Sequence, residues 1–254
     1  MKKSSEGYQD RIVAFIDILG FKNLVAKGKV STILKSMEII RERVELISET
    51  KDSPLETSQF SDSLILSAPN NNHGVIHLIH FTSLLVSELF LHGIWCRGAI
   101  TSGKMLHEGS VAFGPALIDA IEMEARLAFY PRILVTYTVA DNFVAAKNDG
   151  LPKHRISSTG EFFRQDIDNM LHLHIFSPFM FLPKKTGTVE KAVNNVHRHV
   201  LKGIDATETP ANMNIQAKLF WIGAYIEEVK ETFGAYHVTI PRETEIDSQN
   251  SESR

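Results

Sequence analysis

Apolar positions in the first half of the chain alternate between the spacing of buried strands and that of amphipathic helices. Arg11 to Ile18 (RIVAFIDI) is rich in β-branched and aromatic residues and is closed by Gly20, so it reads as a buried strand interrupted by one acid, Asp17. From Ser31 to Thr50, the residues Ile33, Leu34, Met37, Ile40, Val44 and Ile47 recur at helical spacing and predict an amphipathic helix. The turn formers Asp52, Ser53 and Pro54 end it, and Glu56 to Ala68 then reads as two short strands meeting near Ser61 and Asp62. Gly74 to His92 is apolar on most faces and predicts a second, well-buried helix, after which Ile94 to Thr101 reads as a strand. The order strand, helix, strand, strand, helix, strand is the split βαβ arrangement of ferredoxin-like and palm domains. The expected fold class is therefore α+β, a βαββαβ core.

Beyond that core, Lys104 to Phe113 suits a hairpin-like loop, Pro115 to Phe129 a helix and Arg132 to Thr136 a further strand. Asn148 to Gly160 is rich in Gly, Pro, Ser, Lys and Asn and reads as a linker or long loop. Thr188 to Ile204 and Ala211 to Phe233 look helical. The second carries Leu219, Trp221, Ile222, Tyr225, Ile226 and Val229, an apolar surface that needs a partner. Glu243 to Arg254 is polar apart from Ile246 and is expected to be a disordered tail. The expected organisation is a catalytic core over residues 1–147, a C-terminal extension over 148–242 packed on the core or on a dimer partner, and a tail over 243–254.

Composition narrows the partners. The chain has 254 residues, a formal net charge of −3 and one cysteine, Cys96. That charge supplies no global basic field, so neither nucleic acid nor a membrane is an expected partner. A single cysteine excludes an intrachain disulfide and fits a reducing compartment. The N-terminal stretch is short and polar, and no run reaches the ~18 uncharged apolar residues that span a bilayer, so a cytoplasmic location is expected.

The candidate chemistry lies in two acids. In a βαββ unit, strand three runs antiparallel to strand one and beside it, so the end of strand one lies against the start of strand three. Asp17 and Asp62 occupy those two places. Two unit charges about 4 Å apart repel by about 4 kcal/mol at an effective dielectric of 20, which a divalent cation removes. Mg²⁺ and Mn²⁺ prefer oxygen ligands, and Mg²⁺ commonly combines one or two carboxylates with substrate phosphates. The plainer alternative makes Asp17 a helix cap and Asp62 a turn residue.

The segments FIDILGF (Phe15–Phe21) and QFSDSLIL (Gln59–Leu66) resemble the two metal-binding segments of the class III nucleotidyl cyclases. RGAITSG (Arg97–Gly103), then FGPALIDAIEMEA (Phe113–Ala125) and PRILVT (Pro131–Thr136), match that family's order of strand, glycine turn, hairpin arm, helix and strand. The resemblance spans Ile12 to Thr136, and the DILGF and FSDS forms look like the pyrimidine cyclases of bacterial Pycsar anti-phage systems. It implies a cyclase homology domain with additional C-terminal helices and a two-metal site for Mn²⁺ or Mg²⁺. Asp17, Asp62 and the carbonyl of Ile18 would hold metal. The amides of Leu19, Gly20 and Phe21 would hold phosphate oxygens, Arg97 would reach the triphosphate, and Ser58 would stand at a base-reading position together with Val111. It further implies a homodimer with active sites between subunits, a nucleoside triphosphate substrate with UTP favoured over CTP, and a separate cyclic-nucleotide-responsive effector protein.

Two positions depart from that pattern. Where purine cyclases carry an asparagine and an arginine on the helix after the hairpin, this chain has Ile118 and Glu122. A catalytically inactive, cyclase-like module that binds a nucleotide or a protein is the alternative reading, and a palm-type nucleotidyltransferase is an enzymatic rival. His73, His77 and His80, and His172 with His174, lack accompanying cysteines or carboxylates and are assigned no chemistry.

Overall fold

The computed structural model describes residues 7–50, 52–148, 162–180, 187–206 and 212–235. The chain divides into two compact units, Met1–Pro178 and Phe179–Arg254.

The first unit is built on one sheet. The strand β1 (Gln9–Ile18) is followed by a short helix α1 (Phe21–Ala26), α2 (Val30–Glu49), the hairpin β2 (Glu56–Phe60) and β3 (Ser63–Pro69), α3 (Asn72–Leu91) and β4 (Cys96–Glu108). The strand order is β2-β3-β1-β4, and each neighbouring pair is antiparallel. This is the α+β core read from the sequence. β5 (Val111–Phe113) folds back on β4, and α4 (Pro115–Leu127) leads to β6 (Ile133–Val135), which pairs parallel with β4.

β1 is buried because helices cover both faces of the sheet: Ile12, Val13 and Ala14 have no exposed surface. On one face, Val13 and Met105 pack against Ala116, Leu117 and Ala120 of α4, with Phe15 and Ile65 closing the cluster. α3 is capped by Asn71, whose side chain accepts from the Gly74 amide at 2.8 Å, an interaction typically contributing about 1 kcal/mol. Contrary to the sequence reading, α3 is long and apolar enough to cross a membrane by length and composition. Leu78, Ile79, Leu85 and Leu89 are nevertheless buried within the unit, as expected of a core helix.

Three features went beyond the sequence reading. Tyr137–Asn148 forms a helix, α5, whose buried residues Val139, Ala140, Phe143 and Ala146 follow helical spacing. The three-residue strands β7 (Phe163–Gln165) and β8 (Leu171–Leu173) extend the sheet past β6, so the sheet continues beyond residue 147, where the core was expected to end. Strands this short carry too few positions for period-two alternation to register. The third is Arg132, fully buried, whose guanidinium pairs with Asp166 and Asp168 in the β7–β8 loop and ties that hairpin to the start of β6. A four-residue helix, α6 (Ser177–Met180), follows.

In the second unit α7 (Gly187–Ala206) and α8 (Met213–Ala235) pack on each other. Val193, Val196 and Val200 are buried from α7, and Leu219, Ile222, Tyr225, Ile226 and Val229 from α8. The apolar surface around Trp221 thus faces a helical neighbour from the same chain; Trp221 itself stacks on Tyr225 at 5.2 Å. Most of the expected linker and all of the expected tail lie outside the described residues.

Candidate functional site

Register fixes where the two acids sit. Asp17 pairs across the sheet with Ser63 on β3 and with Arg97 on β4, and the Ile18 amide donates to the Asp62 carbonyl at 3.2 Å. Asp62 belongs to the two-residue β2–β3 turn, whose first residue, Ser61, has φ of 53°. A non-glycine residue there costs on the order of 1 kcal/mol, and the turn sets Asp62 against the end of β1. At Gly98, beside Arg97, an added Cβ would lie 2.2 Å from the Phe15 carbonyl oxygen, so the β1–β4 approach at this point requires glycine.

The charges here are unresolved. Burial holds the Asp17 carboxyl above its ordinary range, and the Asp62 charge adds to that, against the opposing effects of Arg97 and a Ser63 hydroxyl bond. The Arg97 Nε lies 3.4 Å from Asp17 Oδ2 and 2.6 Å from Glu124 Oε1. The second contact is close but out of hydrogen-bond alignment, since Glu124 Oε1 is buried without a hydrogen-bond partner. Glu124, on α4, is 5% exposed, and burial raises its carboxyl too; Arg97 opposes that effect and Asp17 adds to it. When all are ionised, Asp17 and Glu124 share the Arg97 guanidinium and the Asp62 charge bears on Asp17, so three carboxylates face one cation, an excess of two negative charges.

A divalent cation would offset that excess, and Asp17 and Asp62 are the carboxylates that could hold it. Among the described residues, no cluster of three or more His, Cys, Asp or Glu side chains could hold a metal ion. The remaining positions would therefore fall to backbone, water or substrate oxygens, the manner in which Mg²⁺ usually binds with phosphates.

Of the three amides expected to face phosphate, that of Leu19 is engaged, donating to the Trp95 carbonyl at 2.8 Å. Those of Gly20 and Phe21 donate to no carbonyl among the described residues. Gly20 caps α1 with φ of 79°, a conformation that favours glycine. Arg97, expected to reach a triphosphate, is held by Asp17 and Glu124 of its own chain. Ile118 is exposed, and Glu122 pairs with Arg126 at 3.5 Å on the solvent side of α4.

Ser58 lies on the same face of the sheet as Asp17. Phe15 shares Asp17's face, and Phe15, Ile65 and Ser58 are direct cross-strand partners. The Ser58 hydroxyl is 2.8 Å from His107 Nε2 and donates to the Gly109 carbonyl at 2.7 Å, two residues before Val111. The sequence reading missed Glu124 and His107. Glu124 could have been noticed as an acid continuing the apolar stripe Ala116, Leu117, Ala120; nothing in the sequence marks His107. His172 and His174 are buried, with ring pKa values lowered by burial to about 4 and about 3.

No known family's profile matches the chain, and no curated protein matches it. Solved structures do. A bacterial light-regulated adenylyl cyclase is 16% identical over 67% of this chain and 52% of its own, with a TM-score of 0.43. A class III adenylyl cyclase-like ATP-binding protein from Pseudomonas aeruginosa is 14% identical over 60% of this chain and 38% of its own, TM-score 0.40. The catalytic core of a rhodopsin-guanylyl cyclase with converted specificity, in complex with ATPαS, is 12% identical over 54% of this chain and 82% of its own, TM-score 0.38. This chain spans about half or less of the length of the first two.

Proposed function

We propose that the protein is a metal-dependent nucleotide cyclase of the class III kind, acting on UTP and secondarily on CTP. The product is the 3′,5′-cyclic monophosphate, serving as a second messenger in anti-phage defence and sensed by a separate effector protein. The observation that carries the reading is the excess of negative charge where Asp17 and Glu124 flank Arg97 and the Asp62 charge acts on Asp17.

In this reading Asp17, Asp62 and the Ile18 carbonyl would hold Mn²⁺ or Mg²⁺, which would supply positive charge to the α-phosphate and lower the pKa of the attacking hydroxyl. The ribose 3′-oxygen bonds to the α-phosphorus, its proton leaves, and the bond to pyrophosphate breaks. The Gly20 and Phe21 amides receive phosphate oxygens. Arg97, held between Asp17 and Glu124, releases Asp17 to the metal when a nucleotide arrives and turns to the phosphates. Val111, Phe113, Ile118 and Ile121, all exposed on β5 and α4, are covered by a second copy in a homodimer.

The alternative, a cyclase-like binding module without turnover, draws on Ile118 and Glu122 and on the engagement of Arg97 by its own chain. The full chain incubated with Mn²⁺ and each of the four ribonucleoside triphosphates decides between them. Cyclic UMP is the expected main product, and Asp17→Ala and Asp62→Ala each lower its rate by about 10³-fold while circular dichroism stays native. Return of all four triphosphates uncyclised overturns the enzymatic reading.

A further inference from the structure

The polar groups around His107 form a chain in which proton positions can be counted. Arg11 Nε can only donate, and it does so to Ser67 Oγ at 2.9 Å. The Ser67 hydroxyl hydrogen is then directed to His107 Nδ1, 2.8 Å away. Nδ1 is therefore bare, and the neutral ring carries its hydrogen on Nε2, which donates to Ser58 Oγ at 2.8 Å. The Ser58 hydrogen goes on to the Gly109 carbonyl at 2.7 Å. With the other tautomer, Nε2 and the Gly109 oxygen would compete for one hydrogen while the Ser67 hydrogen had no acceptor. Arg11, Ser67 and His107 are buried, which makes such a mismatch costly. Counted this way, Ser58 Oγ has spent its hydrogen and one lone pair. Its second lone pair has no partner among the described residues, and Ser58 is only half-buried.

We propose that His107 is a positioning residue that fixes the Ser58 hydroxyl as an acceptor toward the ligand, so that this part of the site selects a nucleobase edge bearing an N–H donor. The proposal rests on the reading of this sheet face as a nucleotide site. The N3–H of uracil and the exocyclic amine of cytosine both supply such a donor, whereas a carbonyl or bare ring nitrogen presented to Ser58 meets lone pair against lone pair. Burial lowers the His107 pKa to about 4, with the nearby Arg11 charge acting in the same direction, so the ring stays neutral and the chain intact at neutral pH.

Two measurements on the full chain test this. Nitrogen NMR of the histidine-labelled protein is expected to report a neutral His107 with Nε2 protonated; an Nδ1-protonated ring overturns the proposal without reference to any nucleotide. Calorimetric affinity for α,β-methylene-UTP, which cannot release pyrophosphate, is then compared with that for its N3-methyl derivative. Ser58→Ala and His107→Ala are each expected to weaken binding by about tenfold, and the double variant no further, because the histidine acts through the hydroxyl. N3-methylation is expected to cost the wild type about tenfold and either variant less than twofold. Independent, multiplying losses overturn the positioning role while leaving the nucleotide reading in place. Failure of the wild-type protein to bind the analogue at all overturns that reading, and the ligand half of this proposal with it.

Discussion

At the Asp17 end of the sheet, Asp17 and Glu124 share one guanidinium while the Asp62 charge acts on Asp17. A few residues away on the same face, the donors Arg11 Nε, Ser67 Oγ, His107 Nε2 and Ser58 Oγ each have an acceptor. Both clusters are polar, partly buried and draw on β1 and β4, yet their electrostatics are opposed. The first leaves negative charge in excess, which costs stability as long as the carboxylates are ionised. The second is complete already and contributes rigidity. The contrast separates a cluster with uncompensated charge from one whose hydrogen bonds hold a neighbouring group still, and mere proximity of polar side chains would not have distinguished them.

The sharpest way to break that contrast is at Asp17. A carboxyl whose folded pKa lies above its unfolded value stabilises the fold only when protonated, at pH below the unfolded pKa, and loses that contribution as pH rises through the folded one. Asp17→Asn is therefore expected to abolish cyclisation, by about 10³-fold, while leaving the metal-free protein at pH 7 as stable as the wild type or more so, by up to about 1 kcal/mol in chemical denaturation. A clear loss of stability would mean that the pairing with Arg97 outweighs burial and repulsion at this end.

The satisfied cluster should respond to acid with the opposite sign. Histidines with folded pKa values of about 4 (His107 there, His80 and His172 elsewhere in the unit) and about 3 (His174, also elsewhere in the unit) stabilise the fold fully above the unfolded value near 6.5 and lose that contribution as pH falls toward their folded values. Denaturant titrations from pH 7 to pH 4 are expected to show stability falling by on the order of a few kcal/mol. In His107→Gln the fall should be shallower. A profile identical in slope to the wild type would place the loss elsewhere.

The smallest expected effect sharpens the role of Glu124. Glu124→Gln removes one of the three negative charges and leaves Arg97 to Asp17 alone. Affinity of the nucleotide-free protein for Mn²⁺, followed by electron paramagnetic resonance, is expected to weaken by about three- to tenfold, a change of roughly 1 kcal/mol. Unchanged affinity would mean that Glu124 has no share in the charge held at this site.

Much of the core was legible in the sequence because its elements are long enough to show a period. The helical spacing from Ser31 to Thr50, the apolar length of Gly74 to His92 and the turn formers between them gave the βαββαβ order, and that order alone set Asp17, at the end of β1, beside the turn that carries Asp62. The short strands β7 and β8, and the helix Tyr137–Asn148 with its mixed polarity, left no comparably strong pattern.

What the sequence determined by itself was the succession of strands and helices and, through it, which two acids meet, because periodicity and chain topology are properties of residue order. What only the tertiary structure decided was how charges and protons are shared once the elements pack. Examples are Arg97 drawn to Glu124 on a helix 27 residues away, the Leu19 amide given to Trp95, and His107 fixed between two serines from different strands. Those outcomes depend on distances of a few ångströms between side chains remote in sequence, and on burial that raises the cost of leaving any one of them unpaired, neither of which is a property of residue order.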